Sequence, residues 1–301
     1  VSLTAKLVLS PLLVAQALRT RAKLPVLPEA AGERQGEVGD GQPLRLLILG
    51  DSSAAGVGVV HQRDALAGQL VNALARRTRR HVQWRLLARS GLNTEQLLAL
   101  LLREQRTLAH HPFDLAVVVT GVNDVVDQVP SHRAVALREA LANTLRNALG
   151  VAHVVFAPLP PLHLIPGLPQ PLRWVAGHDA RRHDRALAQW AATRADVSHL
   201  DVELPLNAGV MADDGFHPGA PVYRLCGHAM AEHIALAVWP GLSAGPRNED
   251  RGPTSTPWHV ALRSPGTPTR CLARLPQCLR GFLLCPMLLL PSSRLLPWRP
   301  L

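Results

Sequence analysis

A chain of 301 residues is long enough for one sizeable hydrophobic core with appendages, and with four Phe, six Trp and one Tyr that core must be filled by Leu, Ala and Val. The formal charge of +10 is unevenly spread: from Ser243 onward eight arginines stand against Glu249 and Asp250, a net of +6, which leaves +4 on the first 242 residues. A main body so mildly basic argues against nucleic acid as a partner.

Residues 1–18 are apolar and broken by Lys6 and Pro11, and Leu7 to Leu18 is too short to span a bilayer in its own right. Arg19, Arg21 and Lys23 follow at once. Two readings stand side by side: a helix that packs on the rest of the chain, or one that contacts a membrane. If the segment did span, its basic flank would leave the rest of the chain on the cytoplasmic side. A cleaved secretory peptide fits less well, because no basic leading region and no small-residue cleavage site are evident. The compartment is otherwise open, between the cytoplasmic side and the cell envelope. Pro25 to Pro43 holds Pro, Gly, Glu and Gln without periodicity and reads as a linker. Residues 1–42 are thus expected to be an N-terminal apolar or amphipathic segment and a linker.

From residue 43 to 240 strands and helices alternate. Leu44 to Leu49 is an apolar run broken only by Arg45, the pattern of a buried parallel strand. Arg63 to Arg80 has helical spacing of Leu66, Leu70 and Leu74. His81 to Arg89 is a second strand, and Asn93 or Thr94 caps a helix carrying Leu97, Leu98, Leu101 and Leu102. Asp114 to Thr120 predicts a central strand, Ser131 to Leu149 a helix, and His153 to Leu159 a fourth strand closed by prolines. A Pro- and Gly-rich loop runs to Pro171. Arg173 to Ala195 reads as helix, Val197 to Val202 as a short fifth strand, and Pro218 to Val238 as the last helix, with proline near its start where it is tolerated. This order argues for a parallel sheet with helices on both faces.

Residues 241–301 hold ten prolines and no sustained period, and are expected to be disordered or non-native rather than a packed unit. The cysteines, Cys226, Cys271, Cys278 and Cys285, have no CxxC spacing. Chance in a biased tail explains the last three better than a metal site does, and Cys226 reads as a small buried hydrophobe.

The first strand ends in Gly50-Asp51-Ser52-Ser53, followed by small residues, Gly56 and Gly58. A serine delivered there sits at the carboxyl edge of the sheet, where open α/β folds place ligands. The loop has no Gly-Lys-Ser/Thr and no GxGxxG, which argues against a nucleotide. Three later segments join it: Gly91 in RSGLNTEQ, Gly121-Val122-Asn123-Asp124, and Asp213-Asp214-Gly215-Phe216-His217-Pro218. In this order the four resemble the blocks of the SGNH (GDSL-type) hydrolase family, whose letters are Ser52, Gly91, Asn123 and His217 here. The resemblance covers about residues 43–240. It implies an α/β fold of the flavodoxin-like kind, three layers α/β/α with a five-stranded parallel sheet.

The resemblance also implies roles. Ser52 is the expected nucleophile, a weak one without a neighbouring base. His217 is the expected base, and Asp214, three residues earlier, can hold its tautomer. Asp213 is adjacent, but the spacing favours Asp214. The expected oxyanion donors are the backbone N–H groups of Ser52 and Gly91 and the side-chain amide of Asn123, each worth on the order of 3–4 kcal/mol. Gly91 suits because a missing Cβ lets substrate approach. Asp51 and Asp124 are expected to support the loops by hydrogen bonds. No metal and no organic cofactor is required.

The expected activity is that of a serine esterase working through an acyl-enzyme, on short- to medium-chain acyl esters or on lysophospholipid- or thioester-like substrates. The loop Leu159 to Trp174 could wall the site with Leu162, Leu164, Ile165 and Leu168. The alternatives are a carbohydrate acetylesterase, weakened by few aromatics, and a catalytically silent membrane-associated binding protein. The expected partners are a small-molecule or lipid ester and, through the N-terminal segment, a membrane. The oligomeric state is open.

Overall fold

Leu44, Leu46, Leu47, Ile48 and Leu49 have no solvent exposure at all, as a strand covered on both faces requires. The computed structural model describes residues 3–243. The Pro- and Arg-rich tail from 244 onward lies outside the described residues, and with it the expectations for Cys271, Cys278 and Cys285. In chain order the elements are α1 (Leu3–Lys23), β1 (Gln35–Val38), β2 (Pro43–Gly50), α2 (Ser52–Ala55), α3 (Leu66–Thr78), β3 (His81–Ala88), α4 (Thr94–Leu108), β4 (Leu115–Val119), α5 (Val122–Val126) and α6 (Ser131–Leu149). They continue with β5 (His153–Phe156), a 3-10 turn at Leu162–Leu164, α7 (Leu172–Ala191), β6 (Val197–His199), α8 (Ala220–His233), a wider turn at Ile234–Val238 and α9 (Trp239–Ser243).

The sheet has six strands in the order β1-β3-β2-β4-β5-β6. The five from β2 to β6 are parallel to one another, in the flavodoxin-like arrangement. Strand alternation sends successive side chains to opposite faces. Leu47, Leu49, Ala116 and Val118 pack with Leu97, Leu101, Leu141, Leu145 and Leu187 from α4, α6 and α7. Leu46, Ile48, Leu115 and Val117 pack on the other side with Leu70, Leu74, Tyr223 and Met230 from α3 and α8.

The sixth strand lies where a linker was expected. β1 pairs antiparallel with β3, Gln35 opposite Arg85 and Val38 opposite Val82. Its four residues alternate between exposed and half-buried, because an edge strand needs no apolar run to pair. Elsewhere the differences are at element ends. α3 is shorter than its leucine spacing suggested, and β6 keeps only three residues before the chain leaves the sheet. Asn93 is the cap of α4: its side chain accepts from the Gln96 N–H while Gln96 bonds back to the Asn93 N–H.

α1 is docked on α7. Lys6 Nζ meets Asp179 at 2.5 Å, and the Gln16 amide donates to Gln170 O (2.6 Å) and accepts from Leu172 N–H (3.1 Å). Pro11 has no N–H for the Leu7 carbonyl, and the Ser10 hydroxyl donates to it instead at 2.8 Å. Among the described residues, no helix is long and apolar enough to cross a membrane.

Candidate active site

β2 stops at Gly50, and Asp51 turns the chain into the short helix α2. The Asp51 side chain caps that helix by accepting from the Ser53 N–H at 3.0 Å, which leaves Ser52 at the first helical position. The loop after α2 then runs against the segment that carries His217. Gly58 has φ +103°, and a Cβ there would meet the Pro218 carbonyl at 2.3 Å, so only glycine allows the two loops this close.

The Ser52 hydroxyl donates to His217 Nε2 at 3.2 Å, and His217 Nδ1–H donates to Asp214 Oδ2 at 2.6 Å. The roles follow from the carboxylate, which only accepts and so places the ring proton on Nδ1. Asp214 Oδ1 accepts the backbone N–H groups of Phe216 and His217, both at 2.9 Å. Burial raises the Asp214 carboxyl, but the His217 imidazole and the two N–H donors outweigh it and hold the group below the usual carboxylate range. Asp214 is buried while Asp213 is exposed, which separates the two neighbours. The Phe216 ring stands edge-on to the imidazole at 5.2 Å.

Gly91 lies on the loop after β3, and Asn123 lies in α5, just past the end of β4. Gly91 has φ +81°, and nothing stands within 4 Å of a Cβ built on it. Within the protein the glycine answers to its left-handed backbone and not to a crowded neighbour, and the space where a Cβ would stand is open. Asn123 Nδ2 donates one hydrogen to Leu92 O at 2.9 Å, which ties α5 to the loop after β3 and leaves the amide a second hydrogen.

Beneath them is a buried polar cluster. Asp124, with no exposure, accepts from the Thr94 N–H (2.9 Å), the Thr94 hydroxyl (2.6 Å) and Arg138 Nη2 (3.0 Å). Arg138, on α6, is also fully buried, and burial pushes its guanidinium down against the pull of Asp124, Asp184 and Asp51. Arg138 was missed in the sequence. Its signal is an arginine inside the buried stripe Ala134, Leu141, Ala142 and Leu145 of α6.

Beside Ser52 and His217 opens an apolar cavity of about 80 Å³, walled by Val119, Ile165, Leu204, Phe216 and Met230 among others. Of the loop expected to wall it, Leu159 to Trp174, Pro160 and Ile165 do so. Leu162 and Leu168 turn into the core, and Leu164 and Trp174 face solvent. Cys226 lines the cavity as a neutral thiol, pushed up to about 12 by burial. Among the described residues, no group of three or more His, Cys, Asp or Glu is placed to hold a metal ion.

The family model described as GDSL-like Lipase/Acylhydrolase family matches residues 48–225. Among solved structures, a lipase from a goat rumen metagenome is similar at 17% identity and a TM-score of 0.51, over 64% of this chain and 97% of its own. A catalytic mutant of an acetylxylan esterase from Geobacillus stearothermophilus is similar at 16% identity and a TM-score of 0.50, over 65% of this chain and 95% of its own. A comparison with curated proteins found no match.

Proposed function

The chain belongs to the GDSL-like lipase/acylhydrolase family and is a carboxylic ester hydrolase, and from that premise we propose that it cleaves short-chain acyl esters through an acyl-enzyme on Ser52. The hydrogen-bonded chain from Ser52 through His217 to Asp214 is the observation that carries the reading. His217 Nε2 takes the hydroxyl proton as Ser52 Oγ bonds to the acyl carbon. Asp214 holds the ring and stabilises the imidazolium. The carbonyl oxygen becomes an oxyanion, received by the N–H groups of Ser52 and Gly91 and the free hydrogen of the Asn123 amide. His217 returns the proton to the leaving alcohol. Water, deprotonated by the same nitrogen, then releases the acid and restores Ser52.

The chain-length preference follows from volume. An engineered apolar cavity of about 150 Å³ takes benzene. A cavity of about 80 Å³ suits an acyl group of a few carbons. A series of p-nitrophenyl esters tests both parts. Turnover is expected to be highest for acetate to butyrate and to fall steeply by octanoate, and Ser52→Ala is expected to abolish it. Hydrolysis that survives in the variant removes the serine mechanism, and a maximum at long chains removes the cavity argument.

A second reading concerns α1, and here the partner is an anionic lipid surface. The side of α1 turned from α7 is apolar: Leu7 is 61% exposed, Val8 78%, Leu12 47% and Leu18 61%. Arg19, Arg21 and Lys23 are exposed at its end, and no acid precedes Glu29. An apolar face beside basic residues is what an interfacial helix presents to anionic headgroups. The full chain is expected to sediment with phosphatidylglycerol-containing vesicles and not with phosphatidylcholine alone. Replacing Arg19, Arg21 and Lys23 by Gln should weaken this on the order of a hundredfold. Leu7→Gln with Leu12→Gln and Leu18→Gln should also release the protein, with soluble-ester turnover unchanged. Undiminished sedimentation of either variant overturns the lipid reading and leaves the esterase reading intact.

A further inference from the structure

The geometry points to Glu29 and Arg34 as positioning residues for the oxyanion-binding backbone, acting through the Ser90 peptide. This rests on the reading of the Ser52 and Gly91 N–H groups as oxyanion donors. Both residues precede residues 48–225, the segment that the family model matches.

The stretch from Glu29 to Val38 is a strap with one end on each donor loop. At its first end Ala30 N–H donates to Ala55 O at 3.2 Å, and the buried Gln62 amide donates to both Ala30 O (3.1 Å) and Ala55 O (3.0 Å). Ala55 is the last residue of α2, the helix that begins at Ser52. At its second end Leu86 N–H donates to Arg34 O at 2.7 Å, and β1 continues the pairing along β3. Between these ends the Glu29 carboxylate reaches across. Its Oε1 accepts the Ser90 N–H at 2.6 Å, and its Oε2 pairs with Arg34 Nη2. Arg34 Nη1 donates to Ala88 O at 2.7 Å, at the end of β3.

Ser90 is the residue before Gly91, and Gly91 stands at φ +81° with open space around it. A glycine without neighbours has no side chain to hold its peptide in place. Its orientation is set from the two residues beside it: Asn123 holds Leu92 O, and Glu29 holds Ser90 N–H. A charged acceptor on a backbone N–H is a stronger tether than a neutral one. Burial raises the Glu29 carboxyl, but the bonds from Ser90 and the Arg34 guanidinium outweigh it and keep the group below the usual carboxylate range. Glu29 is thus an ionised acceptor at neutral pH.

Donors that meet the oxygen only as charge develops act on kcat and leave KM alone. Glu29→Ala is expected to lower kcat by about tenfold to a hundredfold, less than outright loss of a donor, with KM within about twofold. Its affinity for butaneboronic acid, which forms a tetrahedral adduct on the serine, should fall by the same factor. Glu29→Gln keeps an oxygen for Ser90 N–H and should recover most of kcat, and Arg34→Ala should fall between the two. Asn123→Ala serves as the reference. If Asn123→Ala loses kcat while Glu29→Ala is within twofold of the wild type, the strap does not position the donors. An equal loss in Glu29→Gln and Glu29→Ala, or unchanged boronate affinity, also overturns the proposal. If Asn123→Ala is itself fully active, the oxyanion reading beneath the proposal has failed instead.

Discussion

Two aspartates near Ser52 are pushed in opposite directions, and the difference lies in what each one faces. Asp214 meets an imidazole and two backbone donors, so its charge is stabilised. Asp51 is wholly buried, accepts the Ser53 N–H and lies near the Asp124 carboxylate. Burial raises its carboxyl to about 7, with Asp124 adding to the rise and Ser53 and Arg138 opposing it. Between the ordinary value of 3.8 and about 7 the folded chain keeps a proton that the unfolded chain has lost. Asp51 therefore makes stability fall as pH rises from about 4 to about 7, with no further loss above that. Asp51→Asn keeps an oxygen for the Ser53 N–H and has no proton to lose. Urea unfolding across this range is expected to show a shallower pH slope in the variant than in the wild type. Identical slopes would mean that Asp51 ionises freely in the fold.

The elements that carry the site are held from behind by a buried ion pair. Arg138 on α6 reaches Asp124 on α5, and Asp124 reaches Thr94 at the start of α4, so three helices meet at one carboxylate. Removing one partner of a fully buried pair strands the other charge, at about 3–5 kcal/mol. Arg138→Met is expected to lose that much in urea unfolding, and Asp124→Asn added to it should recover part of the loss, since no bare charge remains. Additive losses would mean that the two groups are not coupled. This pair was hardly legible in the sequence: one arginine in an apolar stripe is a signal only after the stripe is known to be buried. β1 was missed for the opposite reason. Its QGEV carries no apolar run, and its pairing with β3 is a decision of the edge. The strands Leu44–Leu49 and Leu115–Val119 were legible because burial on both faces demands a nearly continuous apolar sequence.

At the scale of the molecule, the strand order places β3 and β4 on the two sides of β2. The segments that leave the carboxyl ends of these three strands carry Gly91, Asn123 and Ser52, so three distant blocks become neighbours along one rim. The fourth block, with Asp214 and His217, follows β6 and crosses back to that rim before α8. Local chemistry was enough to mark most of the elements, a cap at Asn93 or Thr94 and the four blocks: periodicity, a glycine after a strand and a helix cap act over a few residues. Which strand lies beside which, whether a hydroxyl meets an imidazole 165 positions away, and which edge the Glu29 strap covers depend on contacts between distant residues. Such contacts form only once the whole core closes, since each must offset the entropy of bringing its ends together. A local stretch of sequence carries no record of that balance.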